Sequence, residues 1–498
     1  MKGFDVLKVK SAVKTHNKFN LSRTHLTTMD FGEIVPMFVE ETVPGDKFNI
    51  SAEYFSRMAP LVVPTYGKFS YKTVAAFVPY HQIAYDSDAW IAGKTAWEGV
   101  TPVQRYLTVE SLYGFVAQYC CESNSGVTSA NTDYTIIDPS GNTKYMKFTA
   151  AGKYYVKVLN ALGYALPEGV DYRSTSVWYT NVKDTKLSAY PLLAFFKLYN
   201  DYMSQSQRFN SSELTDLLRC VKYNVENYDI NYYGDGWLSS DCIHGLFSHL
   251  FLNYENDYFV SAWQQPNNAL AGAGESTTQV VVPNIPNSYD EGVIGRSGSD
   301  NFLIGQVDDN EISVGQRALD FLKSFDDWVR RNNYSGSRAV QQIYSRFGIK
   351  TEDYKSHYAQ VITTDTMPIQ VGDITSTADA GNAVLGDYAG KGIMNGGNNV
   401  SVQVSDFGVI LILGYFTVAP MNAFGSDRRV LRTTPLDYYN PEFDGLGADA
   451  ISVGELWQSP IGASSSAVTD NSVFGFTERY NAYRYGRDVI TGEFRNYL

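Results

Sequence analysis

The chain has 498 residues, enough for two or three ordinary domains or for one large β domain with long insertions. Hydrophobic residues make up 44 % and charged residues only 19 %, while 37 Tyr and 27 Phe suit strands and protein–protein contacts. A net charge of −13 argues against a reader of nucleic acid that is basic throughout, and four cysteines are too few for a disulfide scaffold.

The charge is uneven from the first residues. Positions 1–23 carry Lys2, Lys8, Lys10, Lys14, Lys18 and Arg23 against Asp5 alone, so a basic arm (1–19) precedes an acidic body. Such an arm can meet an anionic partner on one face; a solubilising segment explains the lysines equally well. The spaced lysines leave no apolar stretch for a signal peptide, and reduced thiols at Cys120, Cys121, Cys220 and Cys242 fit a cytosol.

Residues 20–83 read as β structure. HLTTMDFGEIVPMFVEETV and KFNISAEYF are rich in β-branched and aromatic residues, with a turn signal at Val43-Pro44-Gly45-Asp46 between them. Pro36 predicts an edge or a bulge in the first run, because proline cannot donate to a ladder. Phe69, Tyr71 and Thr73 then alternate with Ser70 and Lys72. Residues 84–121 are mixed, and 122–151 read as loop with short strands. Leu187 to Phe209 reads as a helix with a broad apolar stripe, provided it starts close to Pro191. Pro266 to Asp309 holds AGAGES, PNIPNS and GRSGSDN and reads as an exposed excursion. Leu319, Leu322, Phe325 and Val329 predict a helix over 312–332, and a shorter one follows over 337–347, before Gly348. Ser401 to Pro420 reads as strand, with Gly408 and Gly414 marking bulges or close backbone approach. The apolar run Val409 to Leu413 is far too short to span a bilayer. Strands, then helices and loops, then strands suit one β domain with enlarged connections better than a series of βαβ units.

Enzyme signatures are absent from the sequence. It holds no GxxxxGK[ST] loop, no GxSxG elbow and no GxGxxG between a strand and a helix. Asp241, Cys242, His244 and His249 are the nearest approach to a metal cluster, yet the two histidines are five apart and not the four that share a helical face. The acidic pairs Glu40-Glu41, Asp308-Asp309 and Asp326-Asp327 read as solvated faces, since glycosidase carboxylates must converge across a cleft. No catalytic residue, metal ligand or cofactor is assigned. The aromatic abundance leaves one rival open, a carbohydrate-binding or glycoside-active β-sandwich protein.

Several blocks, in order, resemble the major capsid protein of microviruses, small phages with single-stranded DNA, and most of all its gokushovirus-like members. They are FNLSRTHLTTMDFGEIVPMFVEETVPGDKFNISAEYFSRMAPLVVPTYGKFSYKTVAAFVP, LSAYPLLAFFKLYNDY, NDYFVSAWQQP, ALDFLKSFDDWVRRNNYSGSRAVQQIYSRFGIK, YNPEFDGLG and ERYNAYRYGRDVITGEFR. The resemblance runs from residue 19 to 495 and leaves 1–18, 122–182 and 267–310 uncovered. It implies a mainly β chain: an eight-stranded viral jelly roll over 20–498 with long helix-containing insertions. It also implies a T=1 icosahedral shell, one chain per asymmetric unit, around circular single-stranded DNA. The insertions at about 122–182 and 267–310 become candidate surface protrusions, and family members carry theirs in the second.

The expected partners are therefore further copies of the chain, packaged single-stranded DNA, a small basic DNA-binding protein and other virion proteins, and a host-surface receptor met by exposed loops. Membrane insertion is not expected, and assembly is expected in the host bacterial cytoplasm. Contacts with DNA or a neighbouring subunit are expected from Lys8, Lys10, Lys14, Lys18 and Arg23 in the arm and from Arg479, Arg484, Arg487 and Arg495 in the tail. Arginine offers a fixed donor fork for phosphate or carboxylate, and the interleaved Tyr480, Tyr483, Tyr485 and Tyr497 can stack on bases or pack at an interface. A tail pinned within its own subunit, with its arginines satisfied locally, is the competing reading.

Overall fold

The computed structural model describes residues 17–59, 67–93, 101–122, 127–166, 169–204, 212–227, 232, 234–252, 257–263, 282–283, 294–296, 302–305, 324, 358–372, 391–404, 406–419, 421, 425–444, 448–456, 473–486 and 488–494. The helices expected over 312–347 lie outside these apart from Ser324, and so does most of 267–310.

Strands β1 (Ile34–Thr42), β2 (Lys47–Arg57) and β3 (Phe69–Pro79) come first. The middle of the chain carries helix α1 (Val109–Phe115), strands β4 (Tyr134–Ile137) and β5 (Thr143–Phe148), helix α2 (Ala150–Ala161) and strand β6 (Gly169–Asp171). Helices α3 (Tyr190–Tyr202), α4 (Ser212–Tyr223) and α5 (Ser240–Phe247) follow. Strands β7 (Gln360–Pro368), β8 (Gln370–Gly372), β9 (Lys391–Gln403) and β10 (Gly408–Val418) return to the first region. Strands β11 (Ala448–Ser452) and β12 (Val473–Glu478) form a separate antiparallel pair.

Two antiparallel sheets result, ordered β1-β10-β3-β7 and β8-β9-β2. They pack face to face. Ala75, Phe77, Ile410 and Ile412 of the larger sheet meet Val400 of the smaller and Val404 just after it, with Phe38, Ile50 and Ile362 around them. Tyr54, Tyr71, Met367 and Met394 continue this layer towards the other end. One polar link crosses it: the buried Asn398 amide donates to Asp365 at 2.9 Å and to Thr73 at 3.3 Å.

The other face of the larger sheet is buried as well. Val74, Ala76, Val78, Val409, Leu411 and Leu413 point away from the smaller sheet into the core formed with α1 to α5. The sheet is thus a central layer between a second sheet and a helical layer. That explains why Val409 to Leu413 is apolar without alternation, as strands buried on both faces are. The smaller sheet keeps the alternation of a half-exposed strand, with Lys47, Asn49, Ser51, Glu53 and Phe55 outward.

Local expectations are met at several points. β1 is an edge strand, and its register slips between Pro36 and Phe38, so Pro36 sits at both an edge and a bulge. Gly45 turns at φ +96°, closed by Asp46 N–H to the Val43 carbonyl at 3.1 Å. A side chain at Gly408 would strike the Val78 carbonyl, and one at Gly414 the Tyr71 hydroxyl, which is the close approach expected there.

Other expectations need correcting. The helix expected from Leu187 starts at Tyr190, because Lys186–Ser188 pairs as a short strand with Tyr106–Thr108; it ends at Tyr202, with Pro191 in its first turn. Residues 17–28 are extended, exposed and outside any sheet, although their composition is strand-like, whereas Met29 packs against the core and Gly32 N–H donates to the Phe416 carbonyl at 3.3 Å. In the segment 122–182, α2 docks against β1 and buries Tyr154, Val158 and Leu159 in the main core, while β5 keeps Lys144, Tyr145 and Lys147 exposed.

Candidate assembly and nucleic-acid interface

Two segments carry the cations singled out in the sequence, one at each end of the described chain. Lys8, Lys10 and Lys14 lie outside the described residues, and Lys18 is exposed at the start of the extended arm. Arg23 is used locally. Its guanidinium donates to the Val39 carbonyl at 2.5 Å, pairs with Glu40 at 3.0 Å and lies 4.5 Å from the centre of the Phe38 ring. His25 Nδ1 donates to the Met37 carbonyl at 3.0 Å. The arm is therefore tethered by side chains along β1, the free edge of the central sheet, without becoming a fifth strand. Residues 19–28 stay exposed, including Phe19, Leu21 and Leu26.

The tail runs through β12 and a short turn. Phe476 exchanges both backbone hydrogen bonds with Trp263, at 2.7 and 2.8 Å. Tyr485 stacks on Tyr258 with ring centres 5.1 Å apart. Tyr480 takes a left-handed conformation at φ 62°, and its N–H donates to Asp449 at 2.9 Å. Non-glycine residues rarely adopt that region, so the turn is held by its surroundings. Arg484 spans Glu478 at 3.1 Å and Asp444 at 3.2 Å. Arg479 lies 5.0 Å from the Phe443 ring centre and 5.2 Å from that of Tyr480. Arg487 and Arg495 fall outside the described residues.

The tail side chains thus belong to a wider surface that the sequence did not single out. Tyr438, Tyr439, Phe443 and Tyr483 are all exposed, and the Arg432 guanidinium stacks 3.8 Å from the Tyr483 ring centre. Asp444 and Glu478 border it and engage Arg484. An aromatic surface crossed by cation–π contacts suits a protein interface or a stacking platform. The signal in the sequence was the cluster Leu436 to Phe443, whose tyrosines lie more than 35 residues from the tail that meets them.

The residues of the possible metal cluster are engaged in packing. Cys242 is buried, which pushes its thiol up to about 12. Asp241 accepts from the Tyr119 hydroxyl at 2.7 Å, and His244 stacks on the Tyr119 ring at 3.9 Å between centres. His249 turns away to Glu213 at 3.1 Å. Among the described residues, no group of three His, Cys, Asp or Glu side chains is placed to hold a metal ion. Nor is any described helix long and apolar enough to cross a membrane.

Comparison with known proteins places this architecture. The family described as capsid protein (F protein) matches residues 7–104 and 310–498, which include the arm, both facing sheets and the tail. Capsid protein VP1 of Chlamydia phage 1 is 25 % identical over 555 residues, covering 98 % of this chain and 86 % of the relative. Capsid protein VP1 of Bdellovibrio phage phiMH2K is 22 % identical over 531 residues, covering 98 % and 84 %. With the family match spanning more than half of its residues, the chain belongs to the phage capsid protein (F protein) family: it is a structural protein of the virion and not an enzyme.

Proposed function

We propose that this chain is the major subunit of a small icosahedral shell of T=1 symmetry enclosing circular single-stranded DNA. The observation that carries the reading is its end-to-end likeness to two phage proteins named capsid protein VP1. The carbohydrate-active alternative has no such support. The two facing sheets contribute seven strands among the described residues, and this supports reading the chain as an eight-stranded jelly roll over 20–498. A wedge of two sheets tiles edge to edge, as closed symmetry requires. Within the insertion at 122–182, the exposed turn at 139–142 with Lys144, Tyr145 and Lys147 of β5 is the part suited to project outward to a receptor, with 267–310 as its counterpart.

The basic arm faces inward in this reading. Lys8, Lys10, Lys14 and Lys18, with Arg487 and Arg495 of the tail, neutralise packaged phosphate or meet a neighbouring subunit, and a small basic DNA-binding protein and other virion proteins share the interior. Arg23 and Arg484 pair with carboxylates of their own subunit, Arg479 lies against the Phe443 ring, and in this reading all three add to these a contact with DNA or a neighbouring subunit. Assembly takes place in the host bacterial cytoplasm. Negative-stain imaging of purified full-length chain tests the shell: closed particles are expected, and a stable monomer overturns it. Replacing Lys8, Lys10, Lys14 and Lys18 by Gln lowers the DNA mass per particle; unchanged DNA content sinks the inward-facing arm.

A further inference from the structure

The arm shows an unusual combination for an isolated subunit. Phe19 is 76 % exposed, Leu21 53 % and Leu26 90 %, all within eight residues of extended chain. Its backbone is nearly as open. Among the described residues, the amides between Lys18 and Met29 make one hydrogen bond, Ser22 N–H to the Asn20 side chain at 3.1 Å. Yet the arm's course is fixed, because Arg23 and His25 fasten it to the Val39 and Met37 carbonyls of β1. Scattered single apolar residues on a surface need no explanation, but three on one tethered, unpaired strand are poised for a partner.

We propose that residues 17–29 form an exchange arm that docks on a second copy of this chain. This rests on the shell reading, which supplies many copies at fixed geometry. Large apolar side chains and an open backbone suit a protein surface better than phosphate. Lys18 is exposed and continues a segment, residues 1–23, with six cations against one acid, whereas the whole chain carries −13, so the body of a neighbour attracts the arm. Fixing its direction in the free subunit lowers the ordering cost of docking.

Hydrogen exchange on full-length wild-type protein tests this, comparing free subunits, particles and particles emptied of nucleic acid. The amides of 17–29 should exchange fast in the free subunit and be protected in both kinds of particle. Fast exchange in particles overturns the proposal, and protection lost on emptying assigns the arm to nucleic acid instead. The variant Phe19→Ser/Leu21→Ser/Leu26→Ser should keep its thermal midpoint, since these side chains are exposed. The subunit concentration it needs for assembly should rise about a hundredfold or more. Assembly at the wild-type concentration overturns the proposal. Failure of the wild type to form particles at all would instead count against the shell reading.

Discussion

Arg105 carries a full charge where no water reaches it. Its side chain is 0 % exposed and that of its partner Asp86 2 %, with 2.9 Å between them. The remaining donors are matched: Nε donates to the Val221 carbonyl at 2.7 Å, Nη2 to Lys222 at 3.0 Å, and Nη1 to Val103 at 2.5 Å. Asp86 in turn accepts from the Val103 N–H at 2.8 Å. One guanidinium therefore joins the turn after β3, the strand leading into α1, and the end of α4. A buried pair adds little against an apolar pair of the same shape, but breaking it strands a charge. Arg105→Met should cost about 3–5 kcal/mol in chemical unfolding. Replacing Asp86 by Asn as well should recover part of that loss. A single variant as stable as the wild type would show that water reaches the site.

At the scale of elements, the free edge of β1 is the place where the fold is managed most closely. An exposed strand edge invites pairing with any other strand. Here Ile34 is covered by α2, whose Tyr154 hydroxyl accepts from the Ile34 N–H at 2.8 Å and donates to its carbonyl at 2.9 Å. Met37 and Val39 are covered by His25 and Arg23. Tyr154→Phe removes the first cover while keeping the ring. It should destabilise by about 1–3 kcal/mol for each backbone group left unsatisfied, and loosen β1 in hydrogen exchange. No change in the protection of β1 would contradict this account. Much of this layout was legible in the sequence. Pro36 announced the edge or bulge, Pro44-Gly45 the turn, and Gly408 and Gly414 the close backbone approaches of the last long strand. Its second buried face was not legible, because the helices that cover it are named only by the fold. Nor was the occupation of Arg23, whose carboxylate partner Glu40 lies 17 residues away, since composition alone reads an arginine as available. Local satisfaction of the tail arginines stood as the competing reading, and Arg484 meets it at Glu478 and Asp444. The arm itself misled in the other direction: HLTTMDF has strand composition, but a strand also needs a partner edge, and the subunit keeps that edge for side chains.

At the scale of the whole molecule, the central sheet shares one core with the helices behind it, so neither layer can open alone without exposing Val409, Leu411 and Leu413. Helices α1 to α5, which build the helical layer, all fall within 105–309, the stretch the family match omits. The matched sandwich therefore depends on an unmatched layer for burial of its inner sheet, and an acid-sensitive point in that layer becomes a property of the entire subunit. His244 of α5 is such a point. Burial between Tyr119 and the α5 helix holds its imidazole below the ordinary 6.5, outweighing the nearby Asp241 carboxylate. The unfolded chain takes up a proton near 6.5 where the folded chain does not, so the unfolded state binds more protons and stability falls as pH drops below that value. Above it both states are neutral at this position and the contribution is constant. Replacing His244 by Phe keeps the stacked ring and removes the titration. The thermal midpoint of the wild type should fall more steeply between pH 7.5 and 5.5 than that of His244→Phe, with near-UV and far-UV dichroism changing together because the layers share a core. Equal pH dependence in the two proteins would place the acid sensitivity elsewhere, and separate transitions would mean that the sheet can hold without its helices.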